Sequence, residues 1–215
     1  MTLSKKTDMT DCKIYFAGRD TIPEKIVLGT GERLDMLVVV LPGVNCDIPL
    51  DIVLEGEGAS VNLGGVYVCP GEEKVGIDIV LEHKAGGCFS RQDFKGIVGG
   101  RAKVGFYGRI IVAHDAQKTE AYQSDHNLLL SDTATVSTRP QLEIYADDVK
   151  CSHGATVGKL DEEAQFYMRS RGVPEDEAKK LQMLSFLSPV LEMIEDAKIR
   201  ESVAGKVEEA VRSII

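Results

Sequence analysis

Three places in the sequence combine residue types that could do chemistry. Cys151-Ser152-His153 places a thiol and an imidazole two positions apart, and in an extended strand such residues share a face. Both are good ligands for zinc or iron. Two ligands do not complete a tetrahedral site, and the nearest further candidates are Asp147 and Asp148. If the strand extends back far enough, Asp147 joins the face of Cys151 and His153. The alternative is a buried thiol beside a hydrogen-bonded histidine. Glu82-His83 followed by Cys88 could form a thiol–imidazole pair, although Gly86-Gly87 suggests a turn that need not bring them together. His114-Asp115 could be an oriented base, but its position directly after a strand reads as a polar turn.

Phosphate-binding loops are not spelled here. Gly158-Lys159 comes nearest to a P-loop, but His153 stands where the first glycine belongs and Leu160 where the magnesium-binding hydroxyl belongs. Gly29-x-Gly31 and Gly56-x-Gly58 each lack a third glycine and open no helix, so they read as turns between strands. This chain is expected to bind no nucleotide. A formal charge of −9 with no basic cluster argues against nucleic acid, whose binding rests on neutralised phosphates. The longest unbroken apolar run, Met36 to Leu41, is far too short to span a bilayer. The leader over residues 1–11 is polar and has no secretory h-region. With an odd set of five scattered cysteines and no CxxC, this suggests a reducing cytoplasm and free thiols.

The elements that must position these groups divide in two. Of 21 glycines only Gly172 and Gly205 lie beyond residue 160. From 12 to 160, short β-type runs alternate with glycine turns: 13–16, 25–28, 36–41, 51–55, 66–68, 76–81, 109–112 and 141–145. Asp-Ile-Val-Leu-Glu occurs at 51–55 and again at 78–82, and Phe94-Lys-Gly96 and Phe106-Tyr-Gly108 are related segments. Recurring short strands fit a stacked solenoid, with a sandwich or jelly roll as the alternative. From 161 to 215 the pattern is helical. Asp161 is a candidate N-cap, Gly172 a stop, and Pro174 opens a helix with Ala178, Leu181, Leu184 and Leu187 as its apolar stripe. Pro189 is expected to end or kink that helix, with Ser188 capping the next one, whose apolar positions include Val203, Val207 and Ala210. These faces are expected to cover the end of the β-region or each other, or else to dock a partner.

The stretch from Pro140 to Gly158 closely resembles the signature of the SufB/SufD family of iron–sulfur cluster assembly proteins. Ser90-Arg91-Gln92, Ala113 to Thr119, Asn127 to Ser131 and Phe166 to Gly172 resemble further family blocks in the same order. The resemblance implies a right-handed parallel β-helix core followed by a small C-terminal α-helical domain. It also implies a cytoplasmic, non-catalytic scaffold role. The helical region, with Phe166, Tyr167, Arg169 and Arg171 as candidate contacts, would dock a SufC-like ATPase. His153, with Cys151 beside it, would face a transient iron–sulfur cluster completed by a SufB-like subunit or a second copy. The segment matching the cysteine-bearing stretch of SufB-type members, Ser131 to Pro140, holds no cysteine, so the chain resembles the SufD type. Family members are longer and carry an N-terminal helical domain, so the resemblance is to a short form. Two other readings stand beside it: a self-associating β-solenoid module without a cluster role, and an enzyme using Cys151 and His153 as nucleophile and base.

Overall fold

The computed structural model describes residues 12–214. The polar leader therefore lies outside the described residues. Eleven strands run in chain order: β1 (Lys13–Phe16), β2 (Lys25–Leu28), β3 (Arg33–Val40), β4 (Cys46–Leu54), β5 (Ser60–Cys69), β6 (Lys74–His83), β7 (Phe89–Val98), β8 (Lys103–Val112), β9 (Glu120–Leu129), β10 (Thr135–Ile144) and β11 (Lys150–Gly158). Odd strands build one sheet in the order β1-β3-β5-β7-β9-β11, and even strands build a second, β10-β8-β6-β4-β2. Every pairing is parallel. The chain thus climbs a parallel β-solenoid of about five turns, each odd strand stacking on the odd strand one turn earlier.

Most strands are longer than their apolar runs, at nine or ten residues from β4 onward. Alternate residues point into the lumen. In the first turns these are hydrocarbon, with Met36, Leu50, Ile52, Leu63, Ile79 and Leu81 almost fully buried. The repeated pentapeptide lies on β4 and β6, offset by two residues: Asp51 pairs with Val80 and Pro49 with Asp78. An even offset keeps each residue type on its own face. Phe94 and Phe106 face each other across the lumen from opposite sheets, ring centroids 5.0 Å apart.

One corner of the solenoid is turned by a residue at positive φ in successive turns: Gly31, Gly58, Gly87 and then Lys118, at φ +60°. The glycines have no Cβ to strain this conformation, whereas Lys118 does. The corner is stitched by backbone bonds from Gly31 N to Glu57 O, Gly58 N to Gly86 O, Gly87 N to Gln117 O and Lys118 N to Asp148 O.

Three helices follow: α1 (Glu162–Ser170), α2 (Glu175–Leu191) and α3 (Ala197–Arg212). Asp161 caps α1, accepting from the N–H groups of Glu163 and Ala164, and Gly172 follows its end at φ +89°. Pro189 neither ends α2 nor hands over to a helix capped by Ser188. It sits inside α2, which continues to Leu191, and α3 is capped instead by Asp196. The buried face of α2 is Ala178, Met183, Leu187, Val190 and Leu191, while Leu181 is exposed. Nor do the helices close the end of the solenoid. Helices α2 and α3 pack on the outer face of the odd sheet, where Leu37, Val39, Val66, Val68 and Ile97 form a second core with Val203, Val207 and Val211. Those strands are apolar on both faces because each face is covered.

Candidate functional site

Both sheets stop at the same level. β11 pairs only with β9, and β10 only with β8, so each leaves one long edge without a strand partner among the described residues. The lumen-facing residues of β11 follow from its register on β9: Cys151 stands opposite Ala121, His153 opposite Gln123, Ala155 opposite Asp125 and Val157 opposite Asn127. In β9 these partners are buried. In β11 the same column is exposed or only half-buried, because no further turn covers it. Cys151 and His153 therefore share the lumen face at the open end, as the strand spacing predicts. No hydrogen bond joins their side chains, and burial pushes the Cys151 thiol up from its ordinary value. His153 also borders an open groove of about 410 Å³ whose lining includes Arg91, Gln92, Tyr122, Gln123, Ser124 and Ser152.

Other expected contacts do not form. β11 begins at Lys150, so Asp147 lies in the preceding turn, exposed, and does not join the face of Cys151 and His153. Among the described residues no group of three or more His, Cys, Asp or Glu side chains is arranged to hold a metal ion. His83 is fully buried and pairs with the Ser90 hydroxyl at 2.8 Å, not with Cys88, whose thiol reaches the Gly56 carbonyl at 3.3 Å. Burial pushes the His83 imidazole down to about 4, a neutral structural group. His114 and Asp115 sit together in an exposed turn.

The lumen just below the open end is polar, which the sequence did not announce. Gln92, Gln123, Asp125 and Asn127 are almost fully buried there. Gln123 donates from Nε2 to Gln92 Oε1 at 2.9 Å. A ring joins Tyr67, Asp125 and Asn127: the phenol oxygen lies 2.9 Å from Asp125 Oδ1 and also meets Asn127 Oδ1, and Asn127 Nδ2 reaches Asp125 Oδ2 at 2.9 Å. Tyr67 belongs to β5 and reaches β9 across β7 because the intervening register position is Gly96, where a Cβ would occupy the space of its ring. Burial raises the Asp125 carboxyl, and its hydrogen bonds offset only part of that. Alternation of polar residues at 123, 125 and 127 is the sequence signal for this chamber, and it matches that of a strand whose polar face meets solvent.

Helix α1 carries the other expected contacts. It buries no side chain fully, and Phe166 and Tyr167 are 74% and 60% exposed. Arg171 stacks over the Tyr167 ring with 5.4 Å between guanidinium and centroid, while Arg169 reaches Glu175 at 3.6 Å. Apolar aromatic surface is thus presented outward beside two cations.

These features define a parallel β-solenoid with an exposed Cys/His column at one end and helices on its flank. Residues 23–186 match the SufBD core domain of the SUF system for FeS cluster assembly, and the chain belongs to that family. It is 40% identical over 154 residues to the iron-sulfur cluster assembly protein SufD of Escherichia coli (strain K12), covering 72% of this chain and 36% of that protein. It is 40% identical over 122 residues to an iron-sulfur cluster assembly SufBD family protein of Synechocystis sp., covering 57% of this chain and 26% of the relative. A chloroplastic Arabidopsis thaliana protein, ABCI7, is 36% identical over 155 residues, covering 71% of this chain and 32% of its own length. The chain thus spans about a third of the length of these relatives. Among the described residues no helix is long and apolar enough to cross a membrane.

Proposed function

We propose that this chain is a SufD-like, non-catalytic scaffold subunit in iron–sulfur cluster assembly. In this reading the cluster is cargo. His153, with Cys151 beside it, offers ligands to a nascent cluster at the open end of the solenoid, and a SufB-like subunit or a second copy supplies the rest. The observation that carries the reading is the uncovered last turn, where both donors lie on a face that would otherwise be lumen. A partner strand along β10 or β11 would satisfy their free edges and bring its own ligands close. The exposed Phe166–Tyr167 surface of α1, with Arg169 and Arg171, supports docking of a SufC-like ATPase, which would supply the nucleotide chemistry.

Anaerobic reconstitution with iron and sulfide, together with a SufB-type subunit and a SufC-type ATPase, tests the reading. Cluster absorbance should appear and be lost in His153→Ala. Equal absorbance in that variant would remove His153 from the site. A pull-down with the ATPase should fail in a Phe166→Ala, Tyr167→Ala double variant. Should the wild-type chain bind no ATPase and support no absorbance with any partner, the free strand edges favour the second reading, a self-associating β-solenoid module.

A further inference from the structure

The lumen column that ends at His153 changes character along its length. Reading up the odd sheet, register places Met36, Leu63, Gln92, Gln123 and His153 in line. The first two are hydrocarbon, and the next two are amides that are 1% and 3% exposed. Gln123 spends its Nε2–H on Gln92 Oε1 at 2.9 Å. Its own carbonyl oxygen, Oε1, is buried and has no hydrogen-bond partner among the described residues. A buried acceptor without a partner calls for one. Gln123 has two register neighbours on the lumen face: Gln92, whose carbonyl it already engages and whose Nε2 is itself without a partner among the described residues, and, toward the open end, His153, whose ring nitrogens can donate. Space for this arrangement is made by Gly108 on the facing sheet, where a Cβ would collide with the Gln123 amide.

We propose that Gln123, braced by Gln92, is a positioning residue for His153. Its carbonyl oxygen accepts the N–H of one imidazole nitrogen, fixes the ring's tautomer, and leaves the other nitrogen unprotonated at the open end. A metal-ligating histidine needs this division: one nitrogen bare for the metal and the other held by an acceptor. The inference deepens the reading of His153 as a cluster-facing ligand and rests on it.

The test separates the two claims. Long-range proton–nitrogen NMR of the chain labelled with 15N-histidine reads the His153 tautomer without any cluster, with His153→Gln assigning the signals. The wild type should show one protonated and one bare ring nitrogen. Gln123→Met should average the two, and Gln123→Glu, which keeps an acceptor at that reach, should restore the fixed tautomer. Gly108→Ala, which leaves both amides chemically intact but displaces Gln123, should average them as well, and it serves if Gln123→Met does not fold by circular dichroism. Identical tautomer ratios in the wild type and in the folded variants would overturn the proposal. In the reconstituted complex, Gln123→Met should weaken cluster loading by about tenfold or more. A fixed tautomer in a chain whose His153→Ala variant still loads cluster would sink the functional reading and leave the positioning intact.

Discussion

Replacing Asp125 with asparagine should stabilise this protein near neutral pH. The ring of Tyr67, Asp125 and Asn127 holds three contacts, each of which needs one hydrogen. The phenol supplies one. The Asn127 amide, turned either way, presents its oxygen to one neighbour and its nitrogen to the other, so it supplies one more. The third must be a carboxyl proton on Asp125, which matches the upward push of burial on that group. An amide at position 125 would present nitrogen to one neighbour and oxygen to the other, so the ring survives the substitution. The carboxyl of the unfolded chain ionises near pH 4, while the folded one holds its proton to higher pH. The stability that Asp125 contributes is therefore full below about pH 4 and is lost as pH rises toward the folded pKa. Across that window Asp125→Asn should gain on the wild type by up to about 1.4 kcal/mol per pH unit and then level off. Urea melts of both proteins from about pH 4 to about pH 8 read this directly. Were Asp125 an ionised acceptor instead, the substitution would lose charge-assisted bonds and cost about 1.5–3 kcal/mol at neutral pH. A loss of that size would refute the proton count.

Other perturbations test the surrounding structure. Tyr67→Phe breaks the same ring and strands a carboxyl and an amide in the lumen, so a loss of about 2–4 kcal/mol is expected in denaturant melts. Gly96→Ala sets a methyl into the Tyr67 ring and should cost about 3 kcal/mol or more, against near neutrality if the ring had room. His83, held at about 4, binds a proton more readily unfolded than folded. Its contribution is therefore full above about pH 6.5 and falls by roughly 3 kcal/mol as pH drops to about 4, and His83→Gln should flatten that part of the stability profile. Lys118→Gly relieves the one non-glycine residue at positive φ among those described and should raise stability by roughly 1 kcal/mol, seen as a higher melting temperature.

Parts of this architecture were legible from residue types alone. Strands β1 and β2 coincide with the apolar runs at 13–16 and 25–28. The paired glycines at 29–31 and 56–58 are turns, with Gly31 and Gly58 at positive φ. Asp161 and Gly172 bracket α1 as a cap and a stop should. Strand β9 was not legible, and β7 only at its Phe94-Lys-Gly96 segment, for a shared reason. A strand is recognised by alternating apolar residues, but the lumen side of β7 carries Ser90, Gln92 and Gly96 around Phe94, and that of β9 carries Gln123, Asp125 and Asn127. These polar groups are tolerated because hydrogen bonds pair most of them. Some of these partners are local, as for Ser90 with His83 and Asn127 with Asp125, but Gln92 and Gln123 pair across 31 residues and Tyr67 reaches Asp125 across 58, beyond any local pattern.

The sequence by itself determined the division into a glycine-punctuated β-region and a helical tail, the shared face of Cys151 and His153, and the family motifs. Each rests on neighbours within a few residues: turn chemistry, strand alternation, caps. Only the tertiary structure decided that this face is the uncovered end of a lumen, that Asp147 stays out of it, and that the helices lie along the flank of the odd sheet. It also decided that Tyr67 crosses a glycine to reach Asp125, and that His83 pairs with Ser90. Those outcomes depend on which turn stacks on which, and stacking register is set by the packing of whole turns against each other. A residue at the end of the stack is exposed, and the same residue one turn earlier would be core.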